Sequence, residues 1–190
     1  MKNQTKQIGV HIMNNTRTIV MAALLAALTF VGTIIIRIPT PTTGYIHVGD
    51  AFVLISGLLL GPLWGGLAAG FGSALTDLVG GYMVFVPGTF IIKYLTAVTA
   101  WAVFKALNKS LKKAPQLLIL IISGIIGELV MVFGYFAYEI FILASDFTKS
   151  GLLAGLVASL AGIPANAIQA IFAVIILSVL YPMLHKNFRC

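Results

Sequence analysis

The run "AFVLISGLLLGPLWGGLAAGFGSALT", Ala51 to Thr76, holds 26 residues and no charge. It reads either as one long helix or as two shorter ones broken at Gly61-Pro62. The choice decides how many times the chain crosses a membrane, and therefore which residues share a side.

That a membrane is the solvent follows from composition. Hydrophobic residues make up 59% of the 190, and charged residues only 9%, where a soluble domain carries about a quarter. The apolar runs are continuous and long. A membrane β-barrel would instead alternate apolar and polar over segments of about ten residues. The chain therefore reads as an all-α integral membrane protein. A span needs about 20 apolar residues, and residues 18–36, 84–104, 116–144 and 152–184 each provide one.

Lysine and arginine placement resolves the central run. Lys2, Lys6 and Arg17 precede the first span, Lys105, Lys109, Lys112 and Lys113 follow residue 104, and Lys186 and Arg189 end the chain. Cytoplasmic loops collect Lys and Arg, so the three clusters belong on one side. The first two share a side only if an even number of spans separates them. Gly-Pro is also a natural helix breaker. The reading is a six-helix bundle in one domain, with additional spans at 48–60 and 62–80 and both termini cytoplasmic. The +7 net charge then marks cytoplasmic loops, not a nucleic-acid surface. The lead before residue 18 shows no small-residue cleavage site, and the uncharged run after it is too long for a signal-peptide core. It reads as leading into a retained first span. Cys190 is the one cysteine, so no internal disulfide is expected.

Ionisable groups inside spans are costly and usually functional. Four are read here: Asp77, Lys93, Glu128 and Glu139. The topology puts Asp77, Lys93 and Glu139 toward the outer half. Glu128, Val132, Tyr135 and Glu139 share a helix face by spacing, as do Asn166 and Gln169. Tyr45, Tyr82, Phe85, Tyr94, Tyr135 and Tyr138 lie nearby in this scheme. An apolar cavity with a few placed polar groups is the pattern of a small-molecule site. Each residue also has a plainer role. Lys93 can snorkel or pair with Asp77 or Glu139, Asp77 can cap a helix, and the two amides can join helices. Glu128 reads as structural. The loop "RIPTPTTGYIH", 37–47, is a connector or a lid, and His47 alone makes no metal site. The chain has no phosphate-binding glycine loop, His/Cys cluster, HExxH or Ser-His-Asp set. No metal, cofactor or catalytic residue is expected.

In the first helix, Ala22 and Ala26 are four apart, as are Ala23 and Ala27. Gly61, Gly65, Gly66 and Gly70 repeat that spacing later. Small residues four apart let helices approach closely in lipid, within the bundle or against a partner.

The stretches "HVGDAFVLISGLLLGPLWGGLAAGFGSALTDLVGGY" (47–82), "TFIIKYLTAVTAWAVFKAL" (89–107) and "GIPANAIQAIFAVIILSVLYPML" (162–184) resemble the substrate-binding S components of energy-coupling factor (ECF) vitamin transporters. The likeness spans roughly residues 18 to 184. It implies a six-helix, multi-pass protein of a prokaryotic cytoplasmic membrane. Such a protein captures a vitamin or precursor and is not itself an enzyme. A transmembrane coupling subunit and two cytoplasmic ATPases complete the transporter. Ala22, Ala23, Ala26 and Ala27 match the docking motif. Lys93, Tyr135, Glu139, Asn166 and Gln169 match the pocket regions, with Tyr45 and Asp77 added by topology. Trp64 and Trp101 fall near the cytoplasmic side. A hydroxymethylpyrimidine or pyridoxine-type ring is therefore expected before riboflavin. The other readings are a stand-alone proton-coupled transporter using Glu128 and Glu139, and a small membrane enzyme or scaffold.

Overall fold

Gly61 has φ 80° and ψ −172°, a backbone region open essentially to glycine alone. Pro62 follows, where a first-turn proline loses no hydrogen bond. These two residues interrupt helix α2, Gly49–Gly80. The computed structural model describes residues 2–39, 45–144 and 146–188, with side chains described between 16 and 185 in those ranges. Around α2 stand α1 (Lys2–Ile35), α3 (Val86–Ser110), α4 (Gln116–Ile142), α5 (Lys149–Leu160) and α6 (Ile163–Phe188).

Contacts along α3 show what the interruption does. Asp50 pairs with Lys93, Gly57 lies against the Ala97 backbone, and Gly61 faces Trp101. Residues 49–60 thus run in the direction of α3. Gly66 then packs on the Tyr94 ring and Gly70 on Phe90, so residues 62–80 run the opposite way. The chain turns back on itself at Gly61. The Ser56 hydroxyl ties the two arms, 2.8 Å from the Val53 carbonyl and 3.0 Å from that of Gly65.

Close approach needs small residues, and α2 supplies them on both sides. Gly72 faces the Ala26 carbonyl and Thr29 of α1, and a Cβ on Gly49 would overlap the Thr33 hydroxyl. Thr29 and Thr33 return their own hydroxyls to the carbonyls four residues earlier, at 2.9 and 2.7 Å. Both hydroxyls are thereby satisfied, as an apolar solvent demands. The core behind these contacts joins Leu25, Leu54, Ile55, Leu120 and Leu177. Outward-facing side chains are large and apolar, with Ile35 72%, Val79 64% and Phe133 65% exposed. That is a surface suited to lipid.

Among the described residues, five helical stretches are long and apolar enough to cross a membrane: Thr16–Ile35, Gly49–Gly80, Val86–Ser110, Gln116–Ile142 and Lys149–His185. The last covers the span expected at 152–184. It comprises α5 and α6, separated at Ala161-Gly162, where two tight turns bond Ala161 to Ala158 and Gly162 to Ser159. α5 packs its Gly155 on the Ile140 and Ala144 backbone at the end of α4. The all-helical expectation also needs an amendment. Strands β1 (Ile38–Pro39) and β2 (Tyr45–Ile46) pair antiparallel, Ile38 opposite Ile46. This ribbon occupies the expected connector or lid, whose residues 40–44 lie outside those described, as do Arg189 and Cys190. The ribbon sits at the end of the bundle where α3 begins. Lys105, Lys109, Lys112 and Lys113 lie where α3 ends and in the loop after it.

Candidate functional site

Lys93 lies two turns into α3 and is 1% exposed. Its ammonium meets Asp50 Oδ1 at 2.5 Å, a carboxylate other than the two considered for it, Asp77 and Glu139. Asp50 stands in the first turn of α2, where a negative charge also meets the positive end of the helix dipole. Its second oxygen accepts from Gln169 Nε2 at 2.6 Å. Gln169 Oε1 in turn accepts the His47 backbone N–H at 3.0 Å. One buried network therefore joins α3, α2, α6 and the segment that enters α2 from the ribbon.

A second network lies above it. Tyr45 donates to Asp77 Oδ1 at 2.7 Å. Burial, and then the Asp77 carboxylate, push the Tyr45 hydroxyl well above its ordinary value, so it stays a donor. Arg37 lies 4.7 Å over the Tyr45 ring and donates to the Thr76 carbonyl at 3.3 Å. Tyr135 donates to Thr89 Oγ1 at 2.9 Å, and its ring faces the Lys93 ammonium at 5.0 Å.

Between the networks is a polar chamber of about 50 Å³. All seven residues expected at a binding site line it: Lys93, Tyr135, Glu139, Asn166, Gln169, Tyr45 and Asp77. They come from α2, α3, α4, α6 and β2. At this size it holds a handful of waters, so a ring-sized molecule enters only if surrounding side chains part. Tyr45, Tyr82 and Phe85 form an aromatic cluster there, with Tyr45 and Tyr82 centroids 5.2 Å apart. Tyr138 packs behind Phe85. Tyr94 is elsewhere, stacked on Phe90.

Sequence reasoning passes over Asp50, Thr33, Ser73 and Thr89. Asp50 sits at the very start of an apolar run and resembles an ordinary helix-end charge. The others are small hydroxyl residues that lipid-facing helices carry routinely. Glu128 also departs from its predicted face-mates. It and Val132 line an apolar groove of about 620 Å³ between α4 and α6, whereas Tyr135 and Glu139 face the chamber. Both Glu128 carboxyl oxygens lack a hydrogen-bond partner. A hollow of about 830 Å³ at the lysine end involves Trp101 and Lys105. The groove between α4 and α6 is apolar apart from Glu128, whereas the lysine-end hollow also gathers Asn108, Gln116 and His185. Among the described residues, no group of three metal-ligating side chains is present.

The expected docking alanines divide. Ala22 is 8% exposed and belongs to the core, and Ala26 packs against that core. Ala23 and Ala27 are exposed. Successive helix positions lie about 100° apart, so Ala22 and Ala26 turn toward the core while Ala23 and Ala27 stay accessible from outside.

His47 shows how the ribbon end is held. Burial first, then the Lys93 and Arg37 charges, push its pKa down to about 4, against the opposing pull of Asp50. Its neutral Nδ1 accepts the Gly49 N–H at 3.1 Å. An unfolded histidine takes up its proton near pH 6.5, while the folded one resists until about pH 4. The stability from burying neutral His47 is complete above the first value and is lost as pH falls through this window. The loss is about 3 kcal/mol. Thermal unfolding in detergent should therefore show a pH 7.5-to-5 drop that is smaller in His47→Gln. Equal drops in both proteins would exclude His47 as the source.

These features define a multi-pass helical membrane protein with a polar chamber at the end opposite its lysine-rich loop. The chain belongs to the ECF-type riboflavin transporter S component family, whose model matches residues 13–186. A Pyrococcus woesei protein, described only as an uncharacterized protein in a gap 3' region, is 36% identical over 107 residues. The match covers 55% of this chain and 66% of that relative's length. Among solved structures, the S component of a bacterial ECF transporter superposes with TM-score 0.62 at 20% identity, covering 93% of this chain and 99% of the other. The S component for biotin from an ECF-type ABC transporter does so with TM-score 0.59 at 23% identity, covering 89% and 93%. At these identities the two structures share the fold.

Proposed function

We propose that this chain is the ligand-capturing subunit of an ATP-driven ECF importer for a small vitamin or vitamin precursor. The observation that carries the reading is the convergence of seven side chains from five elements on one chamber, in a chain of the S component family. The ligand we favour is a single polar ring of the hydroxymethylpyrimidine or pyridoxine type. The chamber is narrow and hydrogen-bonding, and Trp101 lies at the other end against Lys105. Riboflavin is the second reading, favoured by the name of the matching family. Isothermal titration of the purified chain with pyridoxine, hydroxymethylpyrimidine and riboflavin, without ATP, separates them. Asn166→Ala should weaken the bound ligand about tenfold, the loss of roughly one hydrogen bond. Binding of none of the three would remove the vitamin reading.

In this proposal the chain crosses the membrane six times, counting residues 49–60 and 62–80 separately. The lysine-rich loop and both termini face the cytoplasm, and the chamber opens outside. Placement of Lys and Arg supports that orientation. Labelling of cysteines placed between 105 and 113 only from the cytoplasmic side is the expected result.

The partners are a transmembrane coupling subunit and two cytoplasmic ATPases, which carry out the hydrolysis. The docking face of α1 is the one bearing Ala23 and Ala27, because a partner helix reaches exposed small residues and not Ala22 in the core. Ala27→Trp should abolish co-purification with the coupling subunit and leave ligand affinity within twofold. An intact complex with this variant would move the contact off that face.

A further inference from the structure

Two polar atoms in the chamber have no partner. Ser73 Oγ and Glu139 Oε2 are buried without a hydrogen bond, although their residues are only 2% and 4% exposed. Both residues line the chamber. A polar atom left bare in such a place costs free energy, which a bound molecule recovers by pairing with it. A carboxylate oxygen can only accept a hydrogen bond, so the partner that satisfies Glu139 in its ionised form must bring an N–H or O–H.

The charges around the chamber point the same way. Lys93 is held by Asp50. His47 is neutral, its pKa lowered to about 4. Arg37 covers the Tyr45 ring, bonded to backbone carbonyls of Thr33 and Thr76. Each nearby cation is thus already engaged or absent, and Glu139 has no counter-charge among the described residues. An anion placed here would lose its water and meet carboxyl oxygens, with no free positive group in compensation.

We infer that the chamber selects an uncharged or positively charged ring compound through a donor group bound by Ser73 and Glu139, and rejects the same ring when it carries a negative charge. Lys93, the obvious candidate for holding an anion, instead belongs to the scaffold. This inference rests on the chamber being the ligand site and adds the chemistry it selects for.

The test is titration of the intact chain with pyridoxamine, pyridoxine and 4-pyridoxic acid, which share a ring and differ in charge. Riboflavin and its 5'-phosphate form a second set. In whichever set binds, the anionic member should bind at least 100-fold more weakly than its uncharged or cationic counterpart. Glu139→Gln, which keeps the side-chain shape, and Ser73→Ala should each weaken the preferred member at least tenfold. An anion bound within threefold of its neutral counterpart overturns the inference, as does unchanged affinity in both variants. Mass spectrometry of the molecule carried through purification separates this from the vitamin proposal. A carried neutral or cationic donor that is not a vitamin supports the selection rule while removing the vitamin reading. A carried anionic vitamin does the reverse.

Discussion

Asp50→Ala is expected to destabilise the protein by about 3–5 kcal/mol, the scale for removing one partner of a buried ion pair. Lys93, 1% exposed in the intact chain, would be left with its ammonium facing a gap. Gln169 Nε2 would lose its acceptor as well, because Asp50 serves both groups. The damage should extend to the ribbon end, since Gln169 holds the His47 backbone. Thermal unfolding in detergent measures the loss. The rescue identifies its cause: Asp50→Leu combined with Lys93→Met removes both charges and should recover the part of the loss due to the unpaired ammonium, because apolar replacement of a buried pair is often close to neutral, while the part due to the unpaired Gln169 Nε2 stays. If Asp50→Ala melts with the unmodified chain, the pair contributes no stability.

Gly61→Val should be the second severe change, costing about 3 kcal/mol from backbone strain. At φ 80° and ψ −172° the penalty arises whether or not the new side chain has room. Gly81 gives the comparison. Its φ is 83° with ψ 7°, and a Cβ there meets nothing within 4 Å. Gly81→Ala lies in the left-handed helical region and should cost about 1 kcal/mol. The Gly61 change acts at the turn that returns the chain toward Asp77, so it should also lower ligand affinity, whereas Gly81→Ala should not. Equal melting losses in the two variants would show that the reversal does not depend on the special backbone at Gly61.

Much of the site is legible in the sequence. Lys93, Glu139, Asn166 and Gln169 stand out because charged and amide groups are scarce in apolar helices, and scarcity is visible in one dimension. Their partners are less visible. Topology leaves Lys93 free to snorkel or to pair with Asp77 or Glu139, and it meets Asp50, 43 positions away. Ser73 gives no signal at all, being one hydroxyl in a glycine- and alanine-rich helix. The alanines of α1 are recognisable as two pairs of small residues at packing distance, Ala22 with Ala26 and Ala23 with Ala27. Their spacing says which pairs align, and only the position of α2 says which pair is covered.

By itself the sequence determined the solvent, the long apolar stretches and the break at Gly61-Pro62. Each follows from a local or summed property: transfer of apolar side chains into lipid, and the backbone freedom of glycine beside the rigidity of proline. Tertiary structure alone decided that Asp50 neutralises Lys93, that Ser73 and Glu139 keep unpaired oxygens toward the chamber, and that α5 separates from α6. These depend on how far each helix is rotated and slid against its neighbours. A shift of one residue turns a side chain by about 100°, and no composition or spacing along one helix records that angle.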